Sequence, residues 1–479
     1  MTRPPEIQTG AEGQPFRKTQ TEITSFPIQG LLLHRHRCWA TFLLAYRTGS
    51  SRNIYINTPY LYDLHKIDSK VDWDATSKLR ITGRYSAYPY KQKKVAALGE
   101  ILGPGDGSNT DQHGIINSTS VMATYVASSN LVVDALFGFT KTDQYLFPPM
   151  YNTRYGEETL KIPNSNVGPL PSGGGVPEFR FNGGLNEFGY GYPALTYKDP
   201  IFQYSGNVTW VKRNHSIRFG IDVSQQHINH QEVTQTYFQF SGGLTGLYCP
   251  SSASPGCQNG SPATGEFNSF ADFLLGLPQS ASNSELTVNW VTLRSWQFAP
   301  YIADTWQLTK KLTLYMGTSW DYLPVPRREH RGIEFYDTNA NQFQFCGLGN
   351  IAGDCGISVQ KDLFAPRAGF AYRVKPNTVV RAGYSLAPEQ ISMARDALYN
   401  YPSTVTQSLS GTNSNVAATT LNSGFPTLSP PDINAGAITL PSDIGVAWPA
   451  KHFIRGYTES YNATVQQDLG WNLLAKWDM

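Results

Sequence analysis

Apolar and polar residues alternate with a period of two along stretches of eight to twelve residues, and these stretches come in pairs. Residues 66–88 show the pattern best. Ile67, Val71 and Trp73 share one face of the first stretch, and Asp68, Lys70 and Asp72 share the other. After a polar turn at 74–77, Leu79, Ile81, Gly83, Tyr85 and Ala87 oppose Arg80, Thr82, Arg84 and Ser86. Such alternation predicts β-strands with one dry face and one wet face. A wet face that carries full charges, opposite a dry face edged by aromatics, predicts a membrane barrel with a polar lumen.

Five more hairpins follow, with short turns at 127–130, 211–214, 307–310, 375–378 and 467–470. In the second, Leu131, Val133, Ala135, Phe137 and Phe139 share a face; in the third, Phe202, Tyr204, Val208 and Trp210 do so. On the return strand of the third, Ile217, Phe219, Ile221 and Val223 oppose Arg218 and Asp222. The fourth sets Leu312, Leu314, Met316 and Trp320 against Tyr315, Ser319 and Asp321, but its outbound strand, SWQFAPYIADTW, is apolar on both faces. The fifth puts Arg367 and Arg373 on one face and Phe370 and Tyr372 on the other, and Arg381 follows on its return strand. The connections between hairpins are long: 89–118, 143–200, 229–291, 324–363 and 388–456. Short turns at one end and long loops at the other are the bacterial outer-membrane pattern, with the turns periplasmic. Trp73, Trp210, Trp306 and Trp471 all abut short turns, as an interfacial aromatic girdle requires.

Composition narrows the choice less than patterning does. Charged residues make up 15% of the 479, against about 25% in an average soluble protein. Aromatics reach 13%, including 27 Tyr, and the net charge of +2 points to no nucleic-acid partner. No apolar run of about 18 residues exists to make a helical membrane span. CWATFLLAY at 38–46, behind His34, Arg35, His36 and Arg37, has signal-peptide character but follows thirty mostly polar residues. It reads as a strand or short buried segment. Cys38 stands alone, while Cys249 and Cys257, and Cys346 and Cys355, bracket short loop segments that local disulfides would close.

No motif points to catalysis, a cofactor or a bound metal. His227 and His230 lack a third ligand, and GDGSNTD at 105–111 lacks the twelfth-position Glu of a calcium loop. GEFNSFADFLLGLP at 265–278 predicts a short amphipathic helix ended by Pro278; the remaining loops read as irregular, rich in Gly, Pro, Ser and Asn. The charges on the wet faces form one coherent set: Asp68, Asp72, Arg80, Arg84, Arg218, Asp222, Asp321, Arg367 and Arg381. A row of this kind keeps a lumen wet through cross-strand ion pairs, or contacts whatever fills or crosses it.

Several phrases carry a family resemblance. FADFLLGLPQS, SWQFAPYIADTWQLTKKLTLYMGTSWDY and LFAPRAGFAYRVKPNTVVRAGYSL resemble the barrel of Oar-like TonB-dependent outer-membrane transporters. HKIDSKVDWDATSKLRITGRYS, DPIFQYSGNVTWVKRNHSIRFGIDV and ESYNATVQQDLGW are similar to further strands in the same order, so that roughly residues 60–477 are covered. The resemblance implies a 22-stranded barrel occluded by a plug, with uptake or export of an unidentified solute driven by the TonB system. Its partners would be outer-membrane lipid, the plug domain and TonB. No signal peptide, carboxypeptidase-regulatory-like domain, TonB box or plug is visible, and about twelve strands are too few for 22.

The expectation is therefore an all-β, antiparallel transmembrane β-barrel, partial, in the cell outer membrane, with no enzymatic activity. Residues 1–60 read as an atypical N-terminal segment and 61–479 as an incomplete receptor-like barrel. Two readings compete with it. One is a complete outer-membrane channel of about twelve strands, which the even count permits. The other is a secreted β-sandwich adhesin or carbohydrate-binding protein, which predicts shorter strands and uncharged inner faces.

Overall fold

The structure, a computed structural model, describes residues 34–40, 59–104, 111–246 except 184, 233 and 234, 257–258, 261–262, 266–389, and 401–478 except 443 and 472. One antiparallel sheet of 13 strands organises it, with every strand next to its sequence neighbour within the sheet. An edge strand, β1 (His34–Ala40), pairs with β2 (Tyr60–Asp74). Six hairpins then follow the predicted order. They are β2 with β3 (Leu79–Lys94), β4 (Asp111–Ser128) with β5 (Leu131–Leu146), and β6 (Leu195–Lys212) with β7 (His215–Gln231). Next come β8 (Val291–Gln307) with β9 (Leu312–Trp320), β10 (Phe364–Lys375) with β11 (Thr378–Pro388), and β12 (Tyr457–Gly470) with β13 (Leu473–Asp478). Among the described residues β1 and β13 are not paired with each other, so the sheet is open there.

Strand register decides which side chains share a face, because directly opposed residues point the same way. One row reads Arg80, Thr124, Asp134, Asn207, Gly220, Tyr301, Ser319 and Ala365 across eight strands. The adjacent row on the other face reads Val71, Gly83, Val121, Phe137, Tyr204, Val223 and Phe298. Rings in this second row meet across strands, Phe137 with Tyr204 at 5.4 Å and Phe139 with Phe202 at 5.1 Å. One face is thus polar and the other apolar along the whole sheet. The apolar face is left open: Phe219 is 42% exposed, Ile302 54% and Met316 46%. Soluble proteins bury such a surface.

On β5 the apolar run Leu131–Phe139 fills nine residues before Lys141 and Asp143 appear on the same face, paired at 2.8 Å. A membrane strand needs about 9–11 residues. The outbound strand of the fourth hairpin, unorientable from its pattern, turns Trp296, Phe298, Pro300, Ile302 and Trp306 to the apolar face, together with Asp304, which pairs with His215 at 2.6 Å near the short turn. Gln297, Ala299, Tyr301, Ala303 and Thr305 face the polar side, where small Ala side chains had hidden the alternation.

Two features depart from expectation. The strands run on toward the loops, so the first long connection spans 95–110 rather than 89–118. Beyond the apolar band both faces are wet, and YPYKQKK carries no period to read. The outbound strand of the last hairpin runs to Gly470, through the turn expected at 467–470, because a register shift between Asp468 and Gly470 lets β12 continue. Trp471 therefore sits in the turn itself.

These faces make a test. Ile221→Arg places a charge mid-band on the apolar face and should cost about 2–4 kcal/mol, whereas Ser224→Arg on the polar face should be tolerated. Urea titration of the chain refolded into phospholipid vesicles measures both; equal losses would contradict the assignment of faces.

Candidate functional site

The polar face encloses a cavity of 1060 Å³ lined from β4 through β11. Only a concave face can gather side chains from so many consecutive strands, so the polar side is the inner side. Arg218, Asp222, Asp321 and Arg367 meet in this cavity with Asp134, Ser205, Asn207 and Tyr301. Alternation brings each there: Arg218 and Asp222 lie four residues apart on β7, and Arg367 stands opposite Gly317 on β10.

The inner wall is held by polar contacts between strands. Asp222 accepts a hydrogen bond from Ser205, and the Tyr301 hydroxyl bonds Asn207. The Arg218 guanidinium lies 6.0 Å from the Tyr301 ring centre. Asp321 accepts from Gln297 at 3.2 Å and from Ser319 at 3.0 Å, and Asp134 accepts from Thr124 at 2.7 Å. The other predicted charges on β2 and β3 stand away from the cavity and pair among themselves. Arg84 donates to Asp68 at 2.7 and 3.0 Å, while Asp72 holds Lys70 at 2.8 Å and Arg80 at 3.4 Å. Arg381, opposite Ala371, shares the inner face but does not line the cavity. Asp134 and Lys70 were absent from the predicted set, although the alternation in LVVDALF and KIDSKVDW marks both.

On the outer face Trp73, Trp210 and Trp306 stand at the short-turn end, and Trp471 follows in the last turn. A second aromatic group lies toward the loops. Trp296 stacks with Phe298 at 5.8 Å, and Trp320 with Tyr322 at 5.6 Å. His227 and His230 sit at odd and even positions of β7 and so point to opposite faces. His230 contacts Asp199 at 2.9 Å.

Among the described residues, segments of three long loops come together in a packed cap. Glu178–Phe181, Tyr237–Phe240, Ser280–Leu286 and Thr404–Ser410 form a four-stranded sheet drawn from three separate loops. The predicted helix is present as Glu266–Leu274. Its Phe273 ring meets Phe179, Phe181, Phe188 and Phe240 edge-on at 5.4–5.9 Å, a favoured aromatic geometry. Buried Asp272, on the same helix, accepts from the amides of Gly242 at 2.9 Å and Thr245 at 3.0 Å, and from the Thr245 hydroxyl at 2.8 Å.

A second cluster packs Leu286, Val291, Leu293, Ile333, Phe335, Cys346 and Ile357. Cys346 and Cys355 are joined by a disulfide. Cys249 lies outside the described residues, and so does its expected pairing with Cys257. Beside this cluster Glu334 is buried between Arg328, at 2.8 Å, and Arg331. Full burial alone would raise the Glu334 pKa. The two guanidiniums outweigh it and hold the carboxyl below its ordinary value. In the Phe cluster's sheet, burial pushes the Glu178 carboxyl up to about 7 against the pull of Arg180, and Glu187 adds to the rise.

Two predictions follow from the cap. Glu334→Gln leaves the buried Arg328 and the half-buried Arg331 guanidiniums short of a counter-charge, and should destabilise the cap by about 3–5 kcal/mol, read as faster loop cleavage in limited proteolysis. For Glu178, both folded and unfolded chains are protonated below pH 4.5. Between 4.5 and about 7 the unfolded chain releases its proton while the folded one keeps it. Cap stability should therefore fall as pH rises through that window, and Glu178→Gln should flatten the dependence in thermal melts of the detergent-solubilised chain.

The family model described as an outer membrane beta barrel domain matches residues 6–478. No curated protein matches significantly. Among solved structures, the copper transporter OprC shares 10% identity over 86% of this chain and 43% of its own, with a TM-score of 0.41. The ferric-catecholate import receptor Fiu of E. coli K12 shares 10% over 88% and 53%, with a TM-score of 0.39. The siderophore receptor PiuA of Acinetobacter baumannii shares 11% over 86% and 48%, with a TM-score of 0.38. The chain spans about half the length of these structures.

Proposed function

The chain belongs to the outer membrane beta barrel domain family, and from that premise we propose that it is a wall sector of a TonB-dependent transporter. Its place is the outer membrane. The observation that carries the proposal is the concave polar wall, with its charged cavity of 1060 Å³, beneath loops folded into a cap. A lumen lined by charges and hydroxyls passes or holds polar cargo, and a packed cap offers a surface on which a solute is first captured. The Oar-like phrases in the strands support the same reading. So does the open sheet: a larger barrel would complete it with further strands and close it around a plug. TonB and the plug are partners of that whole assembly, and the solute is a polar molecule of undefined class. No residue is given a catalytic role.

The purified chain in planar lipid bilayers separates this reading from a complete twelve-strand channel. A wall sector gives no stable unitary conductance. Uniform, long-lived conductance steps would overturn the proposal in favour of a self-closing pore, and recovery as a detergent-free soluble monomer would overturn both.

A further inference from the structure

The short-turn end of the sheet is unusually basic. Lys78, Lys212, Arg213, Lys310, Lys311 and Lys375 lie in or beside the turns, all exposed, and among the described residues none has a carboxylate partner. The carboxylates at this end are Asp74, 4.0 Å from Arg80, Asp304, 2.6 Å from His215, and Asp468, which accepts from the Gly470 amide at 2.8 Å. Five of the cations occupy three consecutive turns, those of β6–β7, β8–β9 and β10–β11. Hairpins repeat every two strands, so these turns stand about 10 Å apart.

The turns are also tied to one another. The Gln307 amide donates to the Asn214 carbonyl at 2.8 Å, the Arg373 amide to Lys311 at 2.8 Å, and the Asp468 amide to Asn377 at 2.8 Å. Thr309 Oγ1 accepts from the amides of Lys311 at 3.1 Å and Leu312 at 3.0 Å, and Thr76 does the same for Lys78 and Leu79 at 3.2 and 3.0 Å. The cations therefore project from a fixed rim rather than from free loops. Tryptophan marks the same level: the Lys212 ammonium lies 4.9 Å from the centre of the Trp210 ring. Trp belongs at the boundary between acyl chains and headgroups.

We propose that this rim is a binding surface for anionic phospholipid headgroups of the leaflet facing the short turns. Lys212, Arg213, Lys310, Lys311 and Lys375 grip the phosphodiesters of a negatively charged lipid such as phosphatidylglycerol. The tryptophans seat the adjoining acyl region. Guanidinium and ammonium groups form charge-assisted hydrogen bonds with phosphate oxygens. A row of unpaired cations held beside a negative membrane surface gains affinity with each charge, about fivefold apiece. The inference rests on the outer-membrane location and not on any transport activity.

The test uses the full chain in dodecylmaltoside micelles, titrated with dioleoylphosphatidylglycerol or dioleoylphosphatidylcholine. Bound lipid is counted by native mass spectrometry, and thermal melts are recorded in parallel. Phosphatidylglycerol should be retained about tenfold or more over phosphatidylcholine, and the preference should shrink in high salt. Combining Lys212→Gln, Arg213→Gln, Lys310→Gln and Lys311→Gln should abolish the preference. The matching Lys→Arg set should keep it, as should Lys91→Gln with Lys93→Gln at the loop end. Equal retention of the two lipids, or a full preference in the neutralised variant, would overturn the proposal. Salt-sensitive binding of polyglutamate without any lipid preference would overturn it too, and assign the rim to an acidic protein surface.

Discussion

Everything in this structure depends on the two-residue period of the strand meeting two different solvents. A β-sheet satisfies its backbone groups sideways, through its neighbours, and leaves both faces free to be chosen by side chain alone. Here that choice is made the same way in strand after strand, with Tyr, Phe, Ile and Val outward and Asp, Arg, Ser, Thr and Asn inward. A single slip of register would exchange the two sets and put Arg218 into acyl chains. The cross-strand bonds on the inner wall, Thr124 to Asp134 and Ser205 to Asp222, oppose such a slip because each needs its partner directly opposite.

Among the described residues the large sheet consequently has no core in the sense a soluble domain has one. Its packed apolar interior is displaced into the cap, where Phe273 and its neighbouring rings do what the centre of a sandwich would do. Charge follows the same division of labour. On the wall, carboxylates and guanidiniums stay part-exposed and pair across strands, as Arg84 does with Asp68. In the cap, Glu334 is dry and needs both Arg328 and Arg331 to remain ionised, whereas Glu178 gains too little from Arg180 to stay ionised near neutrality. Two buried carboxyls thus titrate in opposite directions according to how many guanidiniums face them.

The wall was legible in the sequence and the cap was not, for one physical reason. The wall is encoded locally, since Asp68 and Trp73 declare their faces through their immediate neighbours, and each short turn binds adjacent strands. The order of all six hairpins could be read that way. Where Ala and Tyr blurred the contrast, as in SWQFAPYIADTW, the facing was lost. The cap is encoded at long range: Phe179, Phe238, Phe273 and Phe425 are far apart in sequence, and the strands that carry or flank them are short and lie among Gly, Pro and Ser. No local period announces a four-residue strand such as Glu178–Phe181 whose partner lies near Tyr237.

The way that small sheet is woven has a mechanical meaning. Its strands come from loops rooted in different hairpins, and Asn283 reaches the Asn164 carbonyl at 3.0 Å across 119 residues of chain. Pulling one loop aside would tear ladder hydrogen bonds to its neighbours. The small sheet therefore resists displacement as one plate tied to several hairpins, not as independent loops.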